Sequence, residues 1–476
     1  MRSTSSSRDM ASSSWRVRCT VLLYTSYRHH MERDPTTLTL TELARAYREG
    51  ACTPTDVTER FLDRIEVGST WRIVLAERAR RQAAAATRAF EAGLEVGPLM
   101  GIPLGLKDLL DVEGEITVAG SAALLARGAR AERDAPVVAR LDAAGAVFLG
   151  KTHMTELAFS GLGLNMHFGT PGSVHDPSRV PGGSSSGSAI AVAAGEATAA
   201  IGSDTGGSVR IPAAAQGLVG LKVSEGSLPI EGAFPLSTTL DTIGPITRTL
   251  EDAWAVWRAL RAMPPAPFPR SEGALRLAVP PTVLLEDLED EVREAFEALL
   301  DRLEEAGHAL DRSPRPLLDE MQGLYGRYGS FAAHEALALH ESLLDTASPR
   351  IDARVEDRIR AVQGRPASDY LRLGYARDAL RRQWWQDLAG FDAVLAPTVA
   401  IRPPRIADVD GNVTRYFEAN GKMLRNTTLF NLLGGAAVTT PMTAVERGIG
   451  AMIATPEGTE AQALAVAARV RDVLAG

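Results

Sequence analysis

Hydrophobic spacing divides this chain into amphipathic stretches and short apolar runs. From Thr39 the apolar positions recur with the spacing of a helix face, predicting a helix at Leu43–Arg48 after Thr41, stopped by Gly50. Thr53-Pro54-Thr55 caps a predicted helix at Asp56–Glu66, and the Ala/Arg-rich Ala76–Ala92 makes a third. Beyond Gly97 the chain turns apolar with Gly and Pro punctuation. Leu104–Leu110 reads as a strand holding Lys107, Pro136–Gly145 as a helix and Ala146–Leu149 as a buried strand. Helical spacing returns at Thr249–Ala262, Leu288–Ala306, Gly329–Leu344, Asp369–Leu388 and Glu460–Leu474. Short strands are predicted at Leu275–Val279, Ala393–Ala396, Ala437–Thr440 and Ile449–Ile453. Strands alternating with helices predict an α/β fold whose central sheet is covered on both faces.

Between Pro181 and Ala215 the pattern changes character. Two Gly/Ser-rich turns, Gly182–Ser188 and Gly202–Ser208, bracket an Ala-rich run that reads as a helix at Gly187–Ala197 and a buried strand at Thr198–Ile201. A flexible linker of similar Gly/Ser content would be polar throughout. This stretch is apolar between its turns and carries Asp204, Arg210 and Pro212 at its end. Each turn leads into a helical pattern, so backbone N–H groups gather beside serine hydroxyls. Such a place suits an anion, or an oxygen that becomes one during a reaction.

Composition narrows the chemistry. With 45% hydrophobic and 23% charged residues, the 476-residue chain matches an ordinary globular protein with a sizeable core. A net charge of -8 without a Lys/Arg-dense stripe argues against nucleic acid as a partner. Two cysteines cannot build a disulfide framework, and eight scattered histidines show no metal-ligand spacing, so no metal is expected. No apolar run reaches the roughly 18 residues that span a bilayer, so no membrane partner is expected. Residues 1–33 are Ser/Arg-rich, with an apolar patch at Cys19–Tyr24 too short for a secretory signal. They are expected to be disordered and dispensable, as an overextended reading frame before Met31 or as a targeting leader. A cytoplasmic location is expected for the whole.

Three motif matches compete. Gly145-Ala-Val-Phe-Leu-Gly150-Lys151-Thr152 satisfies GxxxxGK[ST], but its four intervening residues are apolar and read as strand, which cannot wrap phosphates. Lys151 is expected to be a plain strand-end lysine. Gly183-Ser184-Ser185-Ser186-Gly187 fits GxSxG with Ser185 as nucleophile, an α/β-hydrolase esterase reading. What precedes it reads as loop instead of the required strand, and His308, His334 and His340 lie in helical patterns expected to be solvated. The third match is a constellation: Lys107 in Gly101-Ile-Pro-Leu-Gly-Leu-Lys-Asp108, Ser184 in the first turn, and Ser208 in Gly202-Ser-Asp-Thr-Gly-Gly-Ser-Val-Arg210.

In these strings the sequence resembles the amidase signature family, from about Thr39 to the C-terminus and most densely from Gly101 to Gly244. One departure is Ser186, where many members have Gly; it touches none of the triad positions. The resemblance implies a single large α/β domain over residues 34–476, with a mixed sheet, a signature core at about 100–250 and a helical insert at about 264–390. It implies Ser208 as nucleophile, activated by Ser184 and Lys107, with a cis peptide from Gly183 to Ser184. It implies an oxyanion hole of the N–H groups of Thr205, Gly206, Gly207 and Ser208. The chemistry requires a neutral lysine, and the apolar string Ile102–Leu110 supplies the desolvation that lowers a lysine pKa. Asp108 is expected to alternate to the opposite strand face. Ser185 is expected to support the relay by hydrogen bonding, and Asp204 and Arg210 to form a local ion pair bracing the loop. Ala158, Phe159 and Ser160 match residues lining the family's acyl pocket.

The reading that results is a cofactor-free hydrolase of a small carboxylic amide. The amide-cleaving A subunit of a tRNA-dependent amidotransferase stays open as a second function, and a non-catalytic binding protein as a third. Against the second, Arg425-Asn-Thr-Thr-Leu-Phe430-Asn431 resembles free-standing amidases. The substrate is not legible, and a homodimer is left open.

Overall fold

Eleven strands form one sheet among the described residues of the computed structural model, which are 33–347, 350–442 and 448–475. They are β1 (Trp71–Val74), β2 (Pro103–Lys107), β3 (Val147–Thr152), β4 (Ala199–Asp204), β5 (Val219–Lys222) and β6 (Thr242–Thr247). β7 (Arg276–Ala278), β8 (Ala309–Asp311), β9 (Ala393–Pro397), β10 (Ala436–Pro441) and β11 (Gly450–Thr455) follow. Their order is β1-β3-β2-β4-β6-β5-β10-β11-β9-β7-β8. The sheet is mixed: β3, β2 and β4 run parallel, as do β9, β7 and β8, and the remaining neighbours are antiparallel. The expectation for residues 1–33 lies, Arg33 apart, outside the described residues.

Side-chain alternation along β11 divides the core between the two faces. Ala451 and Ile453 pack in the cluster that holds Leu464 of the Glu460–Ala475 helix, whereas Met452 and Ala454 pack with Leu429 of the Val413–Leu432 helix. The protein is thus a single α/β domain with a mixed sheet between helical layers, as the alternation of elements predicts. No described helix is long and apolar enough to cross a membrane.

Local chemistry moves several predicted boundaries. Thr39, not Thr41, caps the first helix: its Oγ1 accepts from Glu42 N at 3.2 Å, and Glu42 accepts from Thr39 N at 2.9 Å. This reciprocal capping starts the helix at Leu40. β2 stops at Lys107 because Leu110 N turns back to Lys107 O at 3.0 Å, so Asp108 lies past the strand instead of alternating along it. β3 runs on to Thr152 and contains Lys151, whose Nζ meets Asp108 Oδ1 at 2.8 Å with both groups buried. The GxxxxGK residues are therefore a strand and a structural ion pair. His308 and His340 are buried, not solvated: His308 Nδ1 accepts from Leu275 N at 3.0 Å, and His340 stacks on Phe234. The stretch 264–390 contributes five helices together with β7 and β8 at the sheet edge.

Candidate active site

β2 and β4 are parallel neighbours, so their carboxyl ends lie side by side. Ligands in α/β sheets gather outside such ends. Lys107 is the last residue of β2, and its Nζ donates to Ser184 Oγ and to Ser203 Oγ, each at 2.8 Å. All three residues are buried. Burial pulls the Lys107 amine down to about 7, while Asp241 and Asp204 act in the opposite sense. Asp108 is engaged elsewhere, by Lys151 and by Arg72 at 2.8 Å. Ser203, one residue from the end of β4, is a site residue that sequence reasoning missed: in the string Gly202–Ser208 it is one of two serines, and the other matches the nucleophile position.

The Gly183–Ser184 peptide is cis. Gly183 donates its N–H to Gly161 O at 2.8 Å, and a Cβ there would fall 2.6 Å from Gly163 N and 2.8 Å from Ser160 O. Only glycine fits. Ser185 is fully buried, donates Oγ to Ser203 O at 3.4 Å and its N–H to Ser208 O at 3.3 Å, and precedes the Ser186–Ala193 helix. No strand runs into this turn, and none of the described histidines bonds to Ser185. The esterase reading with Ser185 as nucleophile is corrected on both counts.

Asp204 organises the turn that follows β4. Its Oδ1 accepts from Gly207 N at 2.9 Å and Asn431 Nδ2 at 2.8 Å, and Oδ2 accepts from Val209 N at 3.2 Å. Arg210 adds a bidentate pair, Nη2 to Oδ1 at 2.9 Å and Nε to Oδ2 at 3.0 Å, with both side chains fully buried. Burial alone would raise the Asp204 pKa; the Arg210 guanidinium overrides it and holds the carboxyl well below the usual range. Nη2 of Arg210 also reaches Asn431 Oδ1 at 2.6 Å, tying the turn to the Val413–Leu432 helix. Removing one partner of such a pair strands a buried charge. Arg210→Met is expected to lower unfolding free energy by about 3–5 kcal/mol in urea titration.

Gly207 has φ +129°, and a Cβ on it would sit 2.2 Å from Thr427 Oγ1. Its N–H is taken by Asp204, which corrects the expectation that all four N–H groups of residues 205–208 are available. Those of Thr205, Gly206 and Ser208 make no hydrogen bond among the described residues. Gly206 O accepts from Thr427 Oγ1 at 2.6 Å and from Thr428 Oγ1 at 3.2 Å, which fixes the peptide's orientation. Thr205 Oγ1 donates to Asp241 Oδ1 at 2.5 Å.

Ser208 lines a cavity of about 390 Å³ together with Thr205, Gly206, Ala158, Phe159 and Ser160. Its Oγ makes no hydrogen bond among the described residues. Leu157 and Ala158 adopt φ of +49° and +60°, a conformation that costs non-glycine residues energy and concentrates at functional sites. Ser160 Oγ donates to Asn420 Oδ1 at 2.9 Å. Arg358, Leu424, Arg425 and Thr428 complete much of the opposite lining. Sequence reasoning missed the helix that carries the last three. Its buried stripe runs Tyr416, Asn420, Met423, Thr427, Asn431, so polar residues interrupt the apolar spacing by which helices are read.

The family model described as Amidase matches residues 56–464. A 2-amino-5-chloromuconic acid deaminase from Comamonas testosteroni is 38% identical over 86% of this chain and 88% of its own length. The A subunit of a glutamyl-tRNA(Gln) amidotransferase from Symbiobacterium thermophilum is 32% identical over 85% of this chain and 90% of its own. Among solved structures, one described as a crystal structure of amidase superposes with a TM-score of 0.81 at 32% identity, covering 91% of this chain and 99% of that one.

Proposed function

This chain belongs to the amidase signature family, and from that premise we propose that it hydrolyses a small carboxylic amide through an acyl-enzyme on Ser208. The observation that carries the proposal is the buried Lys107 amine, held near neutrality and 2.8 Å from Ser184 Oγ. A neutral Lys107 takes the Ser184 proton while Ser184 takes that of Ser208, and Ser208 Oγ attacks the carbonyl carbon. The unpartnered N–H groups of Thr205, Gly206 and Ser208 meet the developing oxyanion. The proton then returns through Ser184 to the departing nitrogen, and water releases the carboxylate by the reverse relay. Ser203 holds the amine in place. Ala158, Phe159 and Ser160 border the acyl group, and Ser185, Asp204 and Arg210 keep both turns in register.

Ammonia or amine release from purified protein tests this reading across aryl amides, aliphatic amides, urea-like compounds, amino-acid amides and glutamine. The relative from Comamonas testosteroni is named as a deaminase, which makes ammonia a suitable common readout. Release from at least one class is expected; none from any would overturn the proposal. The likeness to an amidotransferase component favours a second reading, in which the ammonia passes to a partner protein. Glutamine as the sole good substrate would promote it.

The pH profile is a further expected outcome. The base works only when neutral, so kcat/KM rises with pH and levels off above about 7, where Lys107 loses its proton. Below that point activity falls roughly tenfold per pH unit. A flat profile between about pH 5.5 and 8.5 would contradict the assignment of Lys107.

A further inference from the structure

The cavity beside Ser208 is walled largely by apolar side chains, yet it holds two guanidinium groups, Arg358 and Arg425. Neither forms an ion pair with a carboxylate among the described residues. Asp287, an acidic group that acts on Arg425, is itself taken by Lys422 at 2.7 Å. Arg425 Nε donates to Asn426 Oδ1 at 3.1 Å, but its Nη2 is buried without a hydrogen-bond partner. Arg358 donates one Nη to Phe159 O and lies 4.3 Å over the Phe159 ring. Two guanidinium groups that line a ligand-sized cavity and meet no carboxylate there call for an acidic group that arrives with the ligand.

The placement restricts that acceptor. Arg425 and Thr428 are three residues apart on one helix face, and Thr428 Oγ1 donates to Gly206 O at 3.2 Å. Arg425 therefore shares with Ser208 a single cavity of about 390 Å³, which leaves room for only a short chain between them. A planar guanidinium fork matches a carboxylate better than any neutral acceptor.

We propose that the substrate is an amide carrying a carboxylate a few carbons from the scissile carbonyl, of the class of half-amides of short dicarboxylic acids, with Arg425 as the anchor. Arg358 adds positive potential to the same cavity. The inference rests on the amide-hydrolase reading for its chemistry, but not for its binding step.

Calorimetry with the Ser208→Ala variant separates the two. Glutaramate and adipamate, each with one carboxylate, are compared with the neutral diamides glutaramide and adipamide. The half-amides are expected to bind at least about 30-fold more tightly, an advantage largely lost in Arg425→Ala and partly kept in Arg425→Lys. With the otherwise unmodified enzyme, the ratio of kcat/KM for half-amide over diamide is expected to exceed about 100 and to fall about 100-fold in Arg425→Ala, mainly through KM. Equal binding of charged and neutral compounds, or faster turnover of the diamide, overturns the anchor while leaving the hydrolase reading standing. Tight half-amide binding without turnover of any amide upholds the anchor and defeats the hydrolase reading.

Discussion

Ser208→Ala is expected to lower amide hydrolysis by about 10⁴-fold or more in kcat/KM, because it removes the hydroxyl proposed to form the acyl bond. The fold should scarcely register the change. Ser208 Oγ makes no hydrogen bond among the described residues, so alanine forfeits no internal partner. Its unfolding free energy should stay within about 0.5 kcal/mol of the unsubstituted protein, the range of a substitution that removes neither packing nor bonding. Loss of activity accompanied by unfolding would point to a structural role and against a nucleophilic one. The measurement pairs steady-state ammonia release with urea denaturation on the same preparation.

Lys107→Met should separate function from stability in the opposite sense. Activity is expected to fall by about 10²–10⁴-fold, the usual contribution of a positioned general base. Stability should respond to pH in a particular direction. The folded-state pKa is lowered from 10.5 to about 7, so between those values the unfolded chain binds a proton that the native protein does not. Stability of the unsubstituted protein therefore rises with pH across that window. Below pH 7 the penalty is present in full, and above 10.5 it vanishes. The lysine thus costs on the order of 5 kcal/mol near pH 6, offset in part by its hydrogen bonds to Ser184 and Ser203. Lys222, also buried and pulled down to about 7, contributes with the same sign, so the difference between variant and parent is the quantity to follow. The advantage of Lys107→Met should shrink steadily from pH 7 to pH 10.5. An advantage that does not change with pH would mean that the amine is not held neutral.

Much of the layout could be read from the chain because it is local. The two Gly/Ser turns, the apolar string before Lys107 and the alternation of strands with helices are each contained within a few dozen residues. What escaped depends on distant partners or breaks a pattern. β6 contains Gly244 and Pro245, which speak against a strand until β4 and β5 are seen to flank it. Ser203 gains meaning only from Lys107, 96 positions away. Asn420 meets Ser160 across 260 positions, and the helix that carries it buries asparagines and threonines where apolar residues mark a helix face. Of these, Thr427 and Asn431 face the turn at Asp204–Ser208, so two of the residues that obscured the helix join it to the site. Arg358 and Arg425 were invisible as a pair, because they stand 67 positions apart in the chain yet line one cavity.

A covalent intermediate on Ser208 is the step on which the proposed mechanism turns. Enzyme mixed with a slowly hydrolysed amide, quenched in acid within its first turnovers and weighed by intact mass spectrometry, tests it most directly. A mass gain equal to the acyl group is expected, mapping after digestion to Ser208 and absent from Ser208→Ala. Turnover without any acyl adduct, or an adduct mapping to Ser185, would contradict it.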